Sequence, residues 1–261
     1  MIHADNVSFA YPQSVRPVLR AVTLTVRKGV IIGLLGPNGC GKTTLLRLLS
    51  GMLTPQSGRV LLEGKPLAAL SRRDIARRIA VVPQETHTTF DFTVLDIVLM
   101  GRYPHLGPFE LEGVADLEIA RSALAATGTT ELEARLFGSL SGGEKQRVVI
   151  AGAVAQEAAL LLLDEPTASL DLAYQIEVAA LLRRLNTSHT ATMVVCTHDL
   201  NLAAALCDEV VLLRDGVVLA HGPTAETITA DNIRATYHVK ADVRFHAEAG
   251  HLAVVPIART S

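Results

Sequence analysis

The chain contains no tryptophan, and aromatic residues make up only 4% of its 261 positions. Its three cysteines (Cys40, Cys196 and Cys207) are too few and too scattered for a disulfide framework or a cysteine zinc site. A reducing setting fits that usage. No apolar run reaches the roughly 18 residues that a helix needs to cross a bilayer. The start, Met1-Ile2-His3-Ala4-Asp5, has no basic stretch followed by an apolar one, so no secretory signal is expected. A role at a membrane would therefore have to come through a partner. An excess of charge of one sign is also missing. Lys plus Arg is 24 and Asp plus Glu is 26, a net charge of −2 that leaves no electrostatic footprint for nucleic acid. Internal repeats, low-complexity tracts and long linkers are absent. The nine histidines form none of the close pairs expected of a zinc site.

Apolar residues are abundant: 49% are hydrophobic and 19% charged, enough for a sizeable core. At about 100–200 residues per domain, the length suggests one large domain or two small ones. Residues 2–27 alternate apolar and polar in runs broken by Pro12 and Pro17, which predicts antiparallel strands including Val18 to Val26. Val30 to Leu35 is continuously apolar up to Gly36, the pattern of a buried parallel strand. A helix is expected over Thr43 to Leu49, with further strands over Arg59 to Leu62 and Ile79 to Val82. From about residue 92 to 152 helical spacing dominates, in Leu95 to Met100, Gly113 to Ala126 and Glu144 to Ala155. Strands then return at Leu160 to Leu163, Thr192 to Cys196 and Val210 to Leu213, separated by helices at Leu172 to Leu185 and Leu200 to Leu206. This alternation predicts an α/β sheet with a helical block inserted into it.

Gly36-Pro37-Asn38-Gly39-Cys40-Gly41-Lys42-Thr43 satisfies G-x-x-x-x-G-K-[ST], between an apolar strand and a helix. Glycines let the backbone turn tightly so that successive N–H groups face an anion. The helix that follows adds its positive end. Lys42 is placed for the β- and γ-phosphates, the Thr43 hydroxyl for Mg²⁺, and Thr44 for a further phosphate contact.

Downstream, Leu160 to Leu163 leads into Asp164-Glu165-Pro166. A buried parallel strand delivers its C-terminal residues where α/β sheets bind ligands. Asp164 would hold Mg²⁺ and Glu165 would orient or deprotonate an attacking water. Taken alone, the same pair reads equally well as a strand end capped by solvated acids. Leu140-Ser141-Gly142-Gly143-Glu144 opens a second helix with two glycines, a second cradle for an anion.

The order of phosphate loop, Gln84, LSGGE, LLLLDEP, Ser169-Leu170-Asp171 and His198 resembles the ATP-binding cassette ATPases, over nearly the whole chain from Phe9 to about Gly222. The resemblance implies a P-loop NTPase, RecA-like α/β core with an N-terminal antiparallel β subdomain and an inserted α-helical subdomain. It implies an ATPase domain over residues 1–222 and a short C-terminal extension over 223–261. It also implies a head-to-tail homodimer in which each ATP, with Mg²⁺, lies between one copy's phosphate loop and the other copy's signature. Residue by residue, Tyr11 matches the aromatic that stacks on adenine. Gln84 matches the glutamine that senses Mg²⁺ and water. Ser141, Gly142 and Gly143 match the contacts made in trans. Asp171 matches the aspartate linking the two sites, and His198 the histidine on the γ-phosphate.

Two positions depart from the family pattern. Glu144 stands where glutamine is commonest. Cys40 stands where serine or alanine is more frequent. It is either a thiol activated by the helix N-terminus, whose alkylation would block ATPase activity, or a small space-filler.

Met100-Gly-Arg-Tyr-Pro-His-Leu106 and the tail from Ile233 to Val239 resemble cassettes serving iron–siderophore, haem and cobalamin importers. Val243 to Phe245 and Leu252 to Pro256, around Gly250, read as a hairpin whose turn His246 and His251 flank. The resemblance then implies two separate permease subunits and a periplasmic binding protein without direct contact. Nucleic acid is not an expected partner, and the expected place is the cytoplasmic face of the cell membrane. An exporter cassette and a non-transport cassette are the alternatives. Arg72, Arg73, Arg77 and Arg78 read as a solvated helix face, or as a contact with permease or anionic headgroups.

Overall fold

The computed structural model describes residues 1–12, 16–84, 90–168 and 170–260. Its strands are β1 (Ile2–Phe9), β2 (Leu19–Val26), β3 (Ile31–Leu35), β4 (Ser57–Leu62), β5 (Lys65–Pro66), β6 (Ile79–Val82), β7 (Leu160–Asp164), β8 (Thr192–Cys196), β9 (Glu209–Arg214), β10 (Val217–Pro223), β11 (Val239–His246) and β12 (His251–Arg259). Its helices are α1 (Lys42–Leu49), α2 (Arg72–Ala76), α3 (Val94–Leu99), α4 (Val114–Thr127), α5 (Gly142–Ala155), α6 (Leu172–His189), α7 (Leu200–Leu206), α8 (Thr224–Thr227) and α9 (Ala230–Tyr237). The chain divides into two compact units, residues 1–70 with 192–261, and residues 71–191.

In the first unit, β2, β1, β4 and β5 form an antiparallel sheet. Its alternation is plain in β2, where Leu19, Val22, Leu24 and Val26 are buried and Arg20, Thr23 and Thr25 are exposed. Here β3 lies between β8 and β9, parallel to both, and β10 adds antiparallel to β9. Every residue of β3 and β8 is buried, as a strand covered on both faces requires. Asp215 and Gly216, at φ 48° and 76°, turn β9 into β10 through a two-residue hairpin. Two positive φ values in succession mark a type I′ turn, which Asp-Gly favours.

The tail pairs β11 with β12 antiparallel around Gly250, as expected. It is fastened to α7 by one side chain. Asn201 Nδ2 donates to the Val254 carbonyl at 3.2 Å, and the Val254 N–H donates to Asn201 Oδ1 at 2.8 Å. A primary amide thus takes the place of a neighbouring strand's peptide, and the edge of β12 is satisfied there.

In the second unit, β6 and β7 pair in parallel. The helices of this unit have their own core. Val94, Ile97 and Val98 of α3, Ala120, Ala123 and Leu124 of α4, and Val148, Ala151 and Ala155 of α5 pack around Phe137. These spacings of three and four residues put one stripe of each helix inward.

Residues 100–106 act as a lock on this unit. A Cβ at Gly101 would collide with the Gly152 carbonyl of α5. Arg102 is 5% exposed and donates to Asp116 at 3.0 Å, to Glu157 at 2.7 Å and to the Ala155 carbonyl at 2.7 Å. His105 Nε2 lies 2.9 Å from the Gln156 carbonyl. The Pro104 carbonyl accepts from Arg73 Nε at 2.9 Å and Arg77 Nε at 2.8 Å. Half of the arginine-rich face is therefore spent inside the unit. Breaking a buried ionic cluster from one side leaves charge uncompensated. Because the Glu157 side chain is half exposed, replacing Arg102 by alanine should cost about 1.5–3 kcal/mol, read as a lowered urea midpoint at unchanged slope.

Candidate functional site

The phosphate loop leaves β3 at Gly36 and enters α1 at Lys42. Gly36, Gly39 and Gly41 take φ values of 156°, 78° and 110°. Close approach makes two of them obligatory. A Cβ at Gly36 would collide with the Leu213 carbonyl and come within 2.7 Å of Cys40 Sγ. One at Gly41 would come within 2.7 Å of Leu19 Cδ2 and 3.1 Å of the Val18 carbonyl. The β9–β10 turn braces the loop from outside. The Gly216 N–H donates to the Cys40 carbonyl at 3.2 Å, and the Arg20 N–H donates to the Gly216 carbonyl at 2.8 Å.

No side chain caps α1, whose N-cap is left-handed Gly41. A helix that starts at a glycine without a capping side chain has the form of an anion-binding helix end. Lys42 is 7% exposed, and its Nζ donates to the Gly36 carbonyl at 2.8 Å and the Pro37 carbonyl at 3.3 Å. The loop's own oxygens therefore aim the ammonium. Thr43 is exposed and Thr44 buried. Tyr11 stands edge-on to Phe9, centroids 5.0 Å apart, with its hydroxyl 3.3 Å from Thr44 Oγ1. Arg47 Nη1 donates to the same hydroxyl at 3.5 Å. The aromatic singled out in the sequence is thus fixed against α1 in the same unit as the loop. His198 is exposed in that unit, in the turn between β8 and α7. The Asp199 carboxylate caps α7, accepting from the N–H groups of Asn201 and Leu202.

The other expected residues belong to the second unit. Gln84 is exposed just beyond β6. Asp164 ends β7, and Glu165 follows with φ 50°, a left-handed conformation that costs a non-glycine residue energy. The Ala168 N–H donates to the Glu165 carbonyl at 3.0 Å and closes the turn. Strained backbone at the proposed base has no signature in the sequence. Ser141 caps α5 through a capping box: its Oγ accepts from the Glu144 N–H at 3.3 Å, and the Glu144 carboxylate accepts from the Ser141 N–H at 2.8 Å. Gly142 and Gly143 form the first turn of α5. Asp171 caps α6, accepting from the Tyr174 N–H at 3.0 Å. Ser169 and residues 85–89 of the segment linking Gln84 to the helices lie outside the described residues.

Oxygen donors alone are expected at the cation: the Thr43 hydroxyl, the Gln84 amide oxygen and the Asp164 carboxylate. Thr43 and Gln84 are exposed and Asp164 is half-buried at a strand end. Each is by itself a hard oxygen donor of the kind that Mg²⁺ takes.

Comparison with known proteins gives the family of the chain. The family model described as "ABC transporter" matches residues 19–168. The chain belongs to that family. It is 44% identical over 240 residues to the cobalamin import ATP-binding protein BtuD of Halobacterium salinarum, covering 92% of this chain and 60% of that protein. The chain thus spans less than two thirds of that relative's length. It is also 44% identical over 255 residues to the hemin import ATP-binding protein HmuV of Bordetella pertussis, covering 94% and 95% of the two. Among solved structures, a chain from a transporter described as metal-chelate type, in an inward-facing conformation, superposes with a TM-score of 0.86 at 35% identity, covering 98% of this chain and 97% of that one. The mixed α/β cassette with its antiparallel sheet and helical region is therefore the fold of this chain.

Two departures from the family pattern now have physical readings. Cys40 is 5% exposed, and burial raises its thiol pKa despite the nearby Lys42. The structure supports the space-filler reading against the activated thiol. Cys196 and Cys207 are buried as well. The native protein should give close to zero reactive thiols with a disulfide reagent, and three after unfolding in urea.

Glu144 turns the capping box into a charged one. Hydrogen bonding from the Ser141 backbone, then its side chain, lowers its carboxyl pKa below 4.5. A depressed carboxyl stabilises the fold above its unfolded pKa and loses that contribution as pH falls through the folded value. Glu144→Gln should therefore cost a few tenths of a kcal/mol at neutral pH. The difference should shrink as pH falls through the depressed folded value and vanish below it, measured as the gap between the two melting temperatures across an acid pH series.

Proposed function

We propose that this chain is the ATP-hydrolysing subunit of an importer for a metal chelate of the iron–siderophore, haem or cobalamin kind. The observation that carries the substrate class is the superposition over 98% of the chain with a metal-chelate-type transporter, at a TM-score of 0.86. The cobalamin and hemin import relatives support the same class.

The loop N–H groups, the α1 N-terminus, Lys42 and Thr44 bind the phosphates, and Tyr11 stacks on the adenine. Thr43, Asp164 and Gln84 hold Mg²⁺, which supplies charge neutralisation at the β- and γ-phosphates. Glu165 takes a proton from the attacking water, His198 steadies the γ-phosphate, and Gln84 reports its presence to the helical region. Ser141, Gly142 and Gly143 of a second copy close over the same ATP, and Asp171 links the two sites. One phosphate loop and one signature per chain make the functional unit a homodimer. Residues 1–222 are the ATPase domain, with the helical subdomain over about 92–152, and residues 223–261 are a C-terminal extension.

Among the described residues no helix is long and apolar enough to cross a membrane. In this reading two permease subunits complete the transporter and hold the chain at the cytoplasmic face. A periplasmic binding protein serves the same system without touching it. ATP-driven closure moves the segment from Gln84 to Leu106, and hydrolysis reopens the dimer.

Glu165→Gln tests the chemistry. Loss of a general base typically costs 10²–10⁴-fold, so kcat should fall by about 10²-fold or more while ATP binding persists. Co-purification of the tagged chain from its native membrane tests the route. A polytopic permease together with a periplasmic chelate-binding protein is the expected result. A permease without a binding protein would favour export, and ribosomal or DNA-repair partners would overturn the transport reading.

A further inference from the structure

Gly142 and Gly143 stand side by side at the start of α5, but the protein constrains them differently. A Cβ at Gly142 would meet only Leu170 Cδ2, at an ordinary 3.6 Å. A Cβ at Gly143 would come within 2.5 Å of Tyr174 Cγ and 2.8 Å of Cε1, with Cδ1 closer still. Atoms at the base of a ring cannot swing aside as the tip of a flexible chain can.

The residue that carries this ring is itself held in place. The Tyr174 N–H donates to the Asp171 carboxylate at 3.0 Å, which fixes its place in the first turn of α6. The Arg147 guanidinium, one turn along α5 from Gly143, lies 5.8 Å from the ring centroid. Arg147 Nη1 donates to Glu177 Oε2 at 2.5 Å, one turn along α6 from Tyr174. Ring, guanidinium and carboxylate therefore bolt the start of α5 to the start of α6.

We propose that Tyr174 is a positioning residue for ATP hydrolysis. Its ring seats the Gly143 backbone, and its N–H seats Asp171, so that the signature and the Asp171 turn meet a second copy as one rigid piece. This rests on the reading of Ser141 to Gly143 as the signature that acts in trans. It assigns the need for glycine at 143 to this chain's own packing.

Four variants of the full chain test the assignment: Tyr174→Phe, Tyr174→Ala, Gly143→Ala, and the last two combined. Each is followed by kcat and KM for ATP, by binding of a fluorescent ATP analogue, and by ATP-dependent dimerisation in a Glu165→Gln background. Tyr174→Phe keeps the ring and should stay within twofold of the parent. Tyr174→Ala should lower kcat at least tenfold and weaken dimerisation similarly, with binding of the analogue unchanged. A merely structural role would not split binding from turnover in this way. Gly143→Ala should lower kcat at least 100-fold. Removing the ring should relieve that defect, so the double variant should return to the level of Tyr174→Ala alone.

A double variant no better than Gly143→Ala would place the need for glycine in the ligand and overturn the proposal. Full activity in Tyr174→Ala would overturn it equally. Failure of the Glu165→Gln chain to dimerise on ATP with Gly143 and Tyr174 intact would instead overturn the signature reading itself, and the proposal with it.

Discussion

The main-chain oxygen of Leu213 occupies the space in which a side chain at position 36 would stand. That backbone-on-backbone contact shapes much of the first unit. A loop that offers N–H groups to phosphate has to be built from residues that tolerate positive φ and leave the donors uncovered. Such a loop has few side chains with which to hold itself, so its rigidity has to be imported. Here it comes from Leu213 above Gly36, from Val18 and Leu19 against Gly41, and from the Gly216 N–H on the Cys40 carbonyl. The antiparallel sheet and the β9–β10 hairpin serve the loop in this way although neither contributes a phosphate ligand. The small, buried Cys40 thiol fits the same constraint: a larger side chain would have to share space with Gly36 and the turn.

The helix ends divide the work. Ser141, Asp171 and Asp199 each cap their own helix with a side-chain oxygen, whereas α1 starts at a left-handed glycine without one. Orphan N–H groups satisfied by a side chain fix the path of the chain. Those left over bind a ligand. The capped ends lie at the signature, at the Asp171 turn and after His198, places where geometry has to be held. The uncapped end lies where charge has to be received.

Much of this was legible in the residue pattern. Ile79–Val82, Thr192–Cys196 and Leu200–Leu206 fall where their apolar runs place them, because short buried elements are marked by composition alone. Helix α6 runs to His189, four residues beyond the expected Leu185. In that added turn the Thr187 hydroxyl donates back to the Arg183 and Arg184 carbonyls, so its polar group is satisfied within the helix. Contacts between distant segments were not legible. Nothing in the period of residues 72–78 shows that Arg73 and Arg77 share the Pro104 carbonyl. Nothing near residue 201 shows that its amide serves as a strand for Val254. A buried arginine such as Arg102 runs against the usual exposure of its type, and only its partners explain it. Within the site, the motifs gave residue types and order. They did not give the positive φ of Glu165, or the ring that covers Gly143.

Two of these nonlocal contacts, at Arg102 and at Gly143, fall at the two ends of one helix, α5. α5 has 14 residues, a rod of about 21 Å. At its start are the Ser141–Glu144 box, Gly143 under Tyr174, and Arg147 reaching α6. At its far end, Gly152, Ala155 and Gln156 receive Gly101, Arg102 and His105. Between them Val148, Ala151 and Ala155 lock the rod into the core shared with α3 and α4. A packed helix transmits displacement as a body, because its interior is too dense to absorb shifts of even a methylene. One rigid element therefore joins the turn at Ser141 to residues 100–106. The segment that resembles the metal-chelate importers thus packs on one end of the helix whose other end opens with Gly142 and Gly143.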